Sequence, residues 1–250
     1  MIPVDRVLGC RPYLRRGATL LLLGHCILTA PPVPADDQVA QTGPGSGVLI
    51  DTGREACGTL GMNGDGSYEN GFGVRHGFFS TDIGGTFAEC FTGPANVCAV
   101  VFDLTTVFDF GPGQTFDATV WDDANGLPGQ VVCILPEIDP YPVALWPSVS
   151  RHTLTFPVEC CMTGNFWVGH RGNWGNVFTP VYWYVAADLD GFGGCKLLNY
   201  PPGIGYPTGW QDVSLAFGPA AALGIGCETT VCGATPIEPS SWGRVKSLYQ

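Results

Sequence analysis

The chain has 250 residues, a formal net charge of −11, 45 % apolar and 12 % aromatic residues, so it can bury a core and is not a disordered polymer. An acidic balance of this size excludes the basic stripe that nucleic-acid phosphates demand, and it disfavours anionic membrane surfaces. The 36 Gly and 21 Pro are together nearly twice the usual share, which points to many turns joining short strands.

The chain opens on a leader. Arg6, Arg11, Arg15 and Arg16 precede the apolar run Ala18 to Leu23, and Val33-Pro34-Ala35 supplies a small-residue exit. This basic, then apolar, then Ala-x-Ala-like order is that of a secretory signal peptide over residues 1–35. Gly24 and His25 break the run and Pro31 and Pro32 end it, short of the roughly 20 apolar residues of a membrane anchor. His25 stands where a lipoprotein signal needs a small residue before Cys26. Gly17, Ala18 and Thr19 follow Arg15-Arg16 where a twin-arginine signal carries bulky apolar residues. Cleavage near Ala35 removes one acid, Asp5, and four arginines, which takes the mature charge to about −14. Cys10 and Cys26 leave with the leader. The product is expected to be secreted or at the cell surface, with no membrane span, where disulfides persist.

Residues 36–47 read as a flexible spacer. A single domain follows over 48–232. Its strands are expected at Val48–Ile50, Val74–Phe79, Phe87–Phe91, Val97–Leu104, Thr115–Trp121, Gln130–Leu135, His152–Val158, Phe166–His170, Val181–Ala187, Asp212–Phe217 and Leu223–Gly226. Gly, Pro, Asn and Asp mark nearly every gap, and the stretch GMNGDGSYENGFG before Val74 reads as turns. In Thr115–Trp121, Phe116, Ala118 and Val120 share one face while Thr115, Asp117 and Thr119 share the other. Strands with one apolar face must bury it. The chain is therefore expected to be all-β, an antiparallel two-sheet β-sandwich of jelly-roll or immunoglobulin-like type.

Nine cysteines remain after cleavage, so one must stay free, pair with another molecule or bind something. Cys227 and Cys232 enclose four residues, and Cys90 and Cys98 enclose seven with Gly93-Pro94 among them; both pairs suit local disulfide loops. Cys133 is expected to join Cys160 or Cys161, which a strand points to opposite faces. No Cys-x-x-Cys knuckle of a zinc site is present.

After Cys232 the chain becomes Pro-rich, and residues 233–250 form a linker and a short amphipathic tail. Trp242, Val245, Leu248 and Tyr249 fall on one side of a helical turn or two, with Arg244 and Lys246 beside them. A helix this short is marginal alone, so the tail is expected to be a detachable recognition or sorting element, or else to dock on the domain.

The runs VWDDANGLPG (Val120–Gly129), GNFWVGHRGNW (Gly164–Trp174), AADLDGFGG (Ala186–Gly194) and GIGYPTGW (Gly203–Trp210), with the ending SSWGRVKSLY, resemble a group of uncharacterised secreted bacterial β-sandwich proteins. Those close on a short Trp-Gly-x-hydrophobic-Lys tail. The resemblance covers most of the mature chain and implies an exported fold, with no activity attached.

Catalytic signatures are absent from the sequence. His76, His152 and His170 sit in no His-Glu-x-x-His pattern and beside no Gly-x-Ser-x-Gly elbow. Glu69, Glu89, Glu137 and Glu159 offer carboxylates, but only their separation in space would make a glycosidase pair. The expected function is a non-catalytic surface or binding module whose partner is an extracellular glycan or cell-surface component. A carbohydrate-binding module is the alternative, and a secreted hydrolase the less favoured one. Aromatic rings in the second half suit sugar C–H faces, and the residues singled out are Trp174, Tyr182, Tyr184 and Trp210 with Asp188 and Asp190. Trp183 is assigned to the core. Asn63, Asp65, Ser67 and Glu69 alternate like ligands of structural calcium. An EF-hand is excluded, because Tyr68 and Val74 occupy its glycine and acid positions. Asp and Asn favour turns in any case, since their side chains bond the nearby backbone.

Overall fold

The architecture follows from strand alternation. A computed structural model describes residues 39–51, 55–74, 86–172, 181–200 and 206–232. Fifteen strands and one helical turn succeed each other along the chain: β1 (Val39–Gln41), β2 (Val48–Ile50), β3 (Thr59–Met62), β4 (Asn70–Val74), β5 (Thr86–Phe91), β6 (Ala95–Thr105), β7 (Phe116–Asp123), β8 (Pro128–Ile138), β9 (Ser148–Met162), β10 (Phe166–Gly172), β11 (Tyr184–Asp188), β12 (Leu197–Tyr200), β13 (Gly209–Asp212), α1 (Ser214–Phe217), β14 (Ala222–Leu223) and β15 (Ile225–Thr230). They form two sheets. One is six-stranded and antiparallel, in the order β13-β12-β5-β10-β7-β8. The other is nine-stranded, in the order β1-β4-β11-β6-β15-β3, with β9 also paired to β6, β2 parallel to β9, and β14 on β11. The protein is thus an all-β, two-sheet sandwich.

Its core lies between the sheets. Phe116, Ala118 and Val120 of β7 face inward as the alternation requires, and Phe102 of β6 meets Phe116 edge to face at 5.3 Å. His170 of β10 is enclosed by the rings of Phe87, Phe102 and Phe116. β6 is buried along its whole length, so its outer face needs cover as well. Asp103 on that face is fully buried, takes a bidentate pair from cross-strand Arg151 at 2.8 and 2.6 Å, and accepts the Tyr68 hydroxyl. Burial, with the Asp103 charge behind it, holds the Tyr68 hydroxyl well above the ordinary phenol range.

Several expectations need correction. The spacer expected over 36–47 contributes β1, which pairs with β4. Residues Asp212–Phe217 do not continue as one strand. α1 turns Phe217 back to stack on Phe72 at 4.5 Å, and Gly218 ends the turn at a φ of +84° that a β-carbon would resist. The expected signal peptide (1–35) and the expected tail (233–250) lie outside the described residues.

The expected cysteine loops do not form either. The bridges are Cys57–Cys98, Cys90–Cys195, Cys133–Cys160 and Cys161–Cys232. Cys90 and Cys98 belong to different sheets, because the β5–β6 connection crosses the sandwich and their side chains diverge. Cys227 is 1 % exposed on the core side of β15, while Cys232 lies past the strand end against β9. Cys227 is therefore the odd thiol, free and raised by burial to about 12. Cys133 joins Cys160, one of its two expected partners, and the adjacent Cys161 points outward to a separate bridge.

Replacing Arg151 with Met strands a buried Asp103 charge. It is expected to lower unfolding free energy by about 3 kcal/mol, the low end for a broken buried pair because Arg151 retains some access to water. The midpoint of urea unfolding measures it, and an unchanged midpoint would refute the assignment.

Candidate functional site

The loops at one end of the six-stranded sheet, where β5 and β7 run out and β10 begins, are built around inward carboxylates. The β7–β8 hairpin turns on Asn125 and Gly126, both at positive φ (59° and 83°), the Asn-Gly signature of a type I′ turn. That turn places Asp123, whose Oδ1 accepts Trp167 Nε1 at 2.9 Å and whose Oδ2 accepts the Gly126 N–H at 3.1 Å.

Glu89 lies behind this rim. In β5 it alternates with Phe87 and Phe91, so strand parity turns it toward the interior, and it is fully buried. Oε2 accepts the Asn63 amide at 2.8 Å and the Cys195 N–H at 2.9 Å, and Oε1 accepts the Leu223 N–H at 2.7 Å. Gly194 has no room for a β-carbon, which would come within 2.3 Å of Oε2. Burial raises the Glu89 carboxyl to about 7, against the pull of those donors and of Lys196.

A second carboxylate organises the neighbouring turns. Asp188, also fully buried, accepts the N–H groups of Asp65 (2.8 Å), Asp190 (3.1 Å) and Gly191 (2.6 Å). Glu69 accepts Leu189 N–H at 2.8 Å and the Ser67 hydroxyl at 3.1 Å. The structure thus brings together two groups that are remote in sequence: Asp65, Ser67 and Glu69 on one turn, Asp188 and Asp190 on the other. Carboxylate oxygens of Glu69, Asp188 and Asp190 lie within 4.8 Å of one another, the donor set that a hard cation such as calcium takes. The turns' own N–H and hydroxyl donors already engage Glu69 and Asp188. Asn63 is not part of this group, since its amide is turned to Glu89 and to the Cys90 carbonyl at 3.1 Å.

Between these loops opens a depression of about 590 Å³, walled by Asn63, Phe91, Thr92, Asp123, Asn165 and Trp167, with the Cys90–Cys195 bridge and Gly193-Gly194 along one side. Sequence reasoning passed over most of these residues. One signal was available, an acid at core parity between Phe87 and Phe91.

The aromatic candidates fall elsewhere. Trp174 lies outside the described residues. Tyr184 is 5 % exposed, with its β-carbon over Gly71 and its ring over Gly73 of β4, and Tyr182 is half-buried against Phe110 at 5.7 Å. The exposed tyrosine platform expected on this strand is therefore not formed, because β4 glycines give Tyr184 a seat. Trp183 is in the core, as expected. Trp210 is half-buried on the outer face of the six-stranded sheet and meets Trp121 edge to face at 5.7 Å. Together with Ala88, Trp167 and Leu197 they form a small apolar cluster on that face. No protein-family model, no curated protein and no solved structure matches the chain.

Two buried groups titrate with opposite sign. Between pH 4.5 and 7 the folded protein keeps a proton on Glu89 that the unfolded chain releases, so this contribution to stability falls as pH rises. Burial lowers His170 from 6.5 to about 3, so below pH 6.5 the unfolded chain takes up a proton that the folded one refuses, and stability falls as pH drops. Relative to wild type, Glu89→Gln should gain stability as pH rises toward 7, and His170→Phe as pH drops below 6.5, each by about 1.4 kcal/mol per pH unit. Chemical denaturation at a series of pH values reads both slopes. A difference from wild type that is independent of pH would rule out the corresponding group.

Proposed function

We propose that the chain is an exported, non-catalytic binding or surface module that presents the depression beside Trp167 to an extracellular partner. The observation that carries this reading is how the depression is held. A disulfide, Cys90–Cys195, and a buried carboxylate, Glu89, join its walls from behind, so the surface is preorganised before any partner arrives. The signal-like leader supports export, and four disulfides are compatible with an oxidising compartment. No helix among the described residues is long and apolar enough to cross a membrane.

Carbohydrate recognition is the second reading. It is favoured by half-buried Trp210, which packs on buried Trp121 and Trp167 at the outer face of the six-stranded sheet, and by the rim of amide, hydroxyl and carboxylate groups beside Trp167.

Protein recovered from the medium of an expressing bacterium is expected to begin near Asp36, and retention of Met1 would overturn export. Incubated with a bacterial envelope preparation, the folded protein should bind saturably and leave the material chemically unchanged. Release of soluble fragments would assign a hydrolase instead.

A further inference from the structure

We infer that the depression beside Trp167 is a subsite for an uncharged sugar ring, read by Asn63, Thr92, Asp123 and Asn165 over the apolar surface of Phe91. This deepens the binding-module reading and rests on it.

The inference starts from which atoms are already engaged. Asn63 points both of its N–H bonds inward, to Glu89 Oε2 and to the Cys90 carbonyl, so its amide cannot flip without facing a carboxylate with an oxygen. Its Oδ1 is the atom left for a ligand, an acceptor held in one orientation. Asn165 is exposed and uses Oδ1 on the Gly93 N–H at 3.4 Å, which leaves its Nδ2 as a donor. Thr92, exposed on the rim, both donates and accepts. Asp123 accepts one N–H at each oxygen and keeps lone pairs for more. The wall therefore offers acceptors, a donor and a hydroxyl, a set that vicinal hydroxyl groups can satisfy.

Charge narrows the class further. Among the described residues, none that lines the depression is Lys, Arg or His, and Asp123 brings a carboxylate to the rim. A uronic acid, a sialic acid or a phosphate would meet like charge with no cation on the described lining to answer it. Half-buried Phe91, stacked on the core ring of Phe166, supplies the apolar surface that sugar C–H groups require. The volume falls within the about 300–1,000 Å³ of small-molecule sites.

The test is calorimetric titration of the mature protein with neutral hexose and N-acetylhexosamine tetramers, with oligoglucosamine, and with oligogalacturonate. Binding of at least one neutral tetramer and none of the galacturonate is expected. Thr92→Ala and Asn165→Ala sit on exposed loop positions and should keep the melting temperature. Each should weaken binding about three- to tenfold, as loss of one hydrogen bond does. Trp210→Ala, outside the depression, should bind as wild type does.

If Trp210→Ala abolishes binding while the rim variants do not, the surface around Trp210 is the site; the subsite and the depression are then both wrong, and an exported carbohydrate-binding module stands. Tighter binding of galacturonate or of oligoglucosamine overturns the neutral-sugar assignment. If no saccharide binds but envelope preparations do, the subsite falls alone. If neither binds, both readings fall.

Discussion

A buried carboxylate with three donors and no acceptor is the constraint on which the loop end depends. Glu89 accepts from the turn after β3, from the segment before β12 and from β14, three pieces of chain that share no strand ladder at those atoms. Turns rich in glycine leave backbone N–H groups without regular partners, and in a folded protein each must find one. Here inward carboxylates take the place that a ladder would fill. Asp188 does the same for its own turn, and the nearby glycines allow the backbone to come that close. On a chain with a net charge of −11, most acids rest in water; these two are structural hubs.

The opposite sheet uses a related device with a different charge balance. Asp103 is equally buried, but Arg151 meets it with two hydrogen bonds and Tyr68 adds a third. Its charge is answered where it sits. Glu89 has only the field of Lys196 and a set of neutral donors, which explains why its proton affinity is raised while its geometry still calls for the ionised form. One buried carboxylate is thus answered by an ion pair and the other by neutral dipoles beside a depression.

The sandwich was legible wherever alternation and turn chemistry agreed. Phe116, Ala118 and Val120 announced β7, and the Gly, Pro, Asn and Asp residues after it announced a turn. β4 was not legible, because in Asn70-Gly71-Phe72-Gly73-Val74 the glycines that seat Tyr184 look like turn residues when read in one dimension. The cysteine pairing failed for a similar reason. Separation along the chain says nothing of which sheet a strand joins, and Cys90 and Cys98, with only seven residues between them, lie on opposite layers. Of the candidate site, the acidic turns were visible as Asp- and Asn-rich motifs, but their meeting in space was not. Trp121 carried no mark beyond lying on the outward parity of its strand.

The order of the disulfides has a consequence for a protein that meets proteases. The loop closed by Cys57–Cys98 overlaps that of Cys90–Cys195, which in turn overlaps that of Cys161–Cys232. Every peptide bond from Cys57 to Cys232 therefore lies inside at least one covalent ring. A single scission anywhere in that span opens the backbone but releases no fragment, and the two new ends stay tethered within the same molecule.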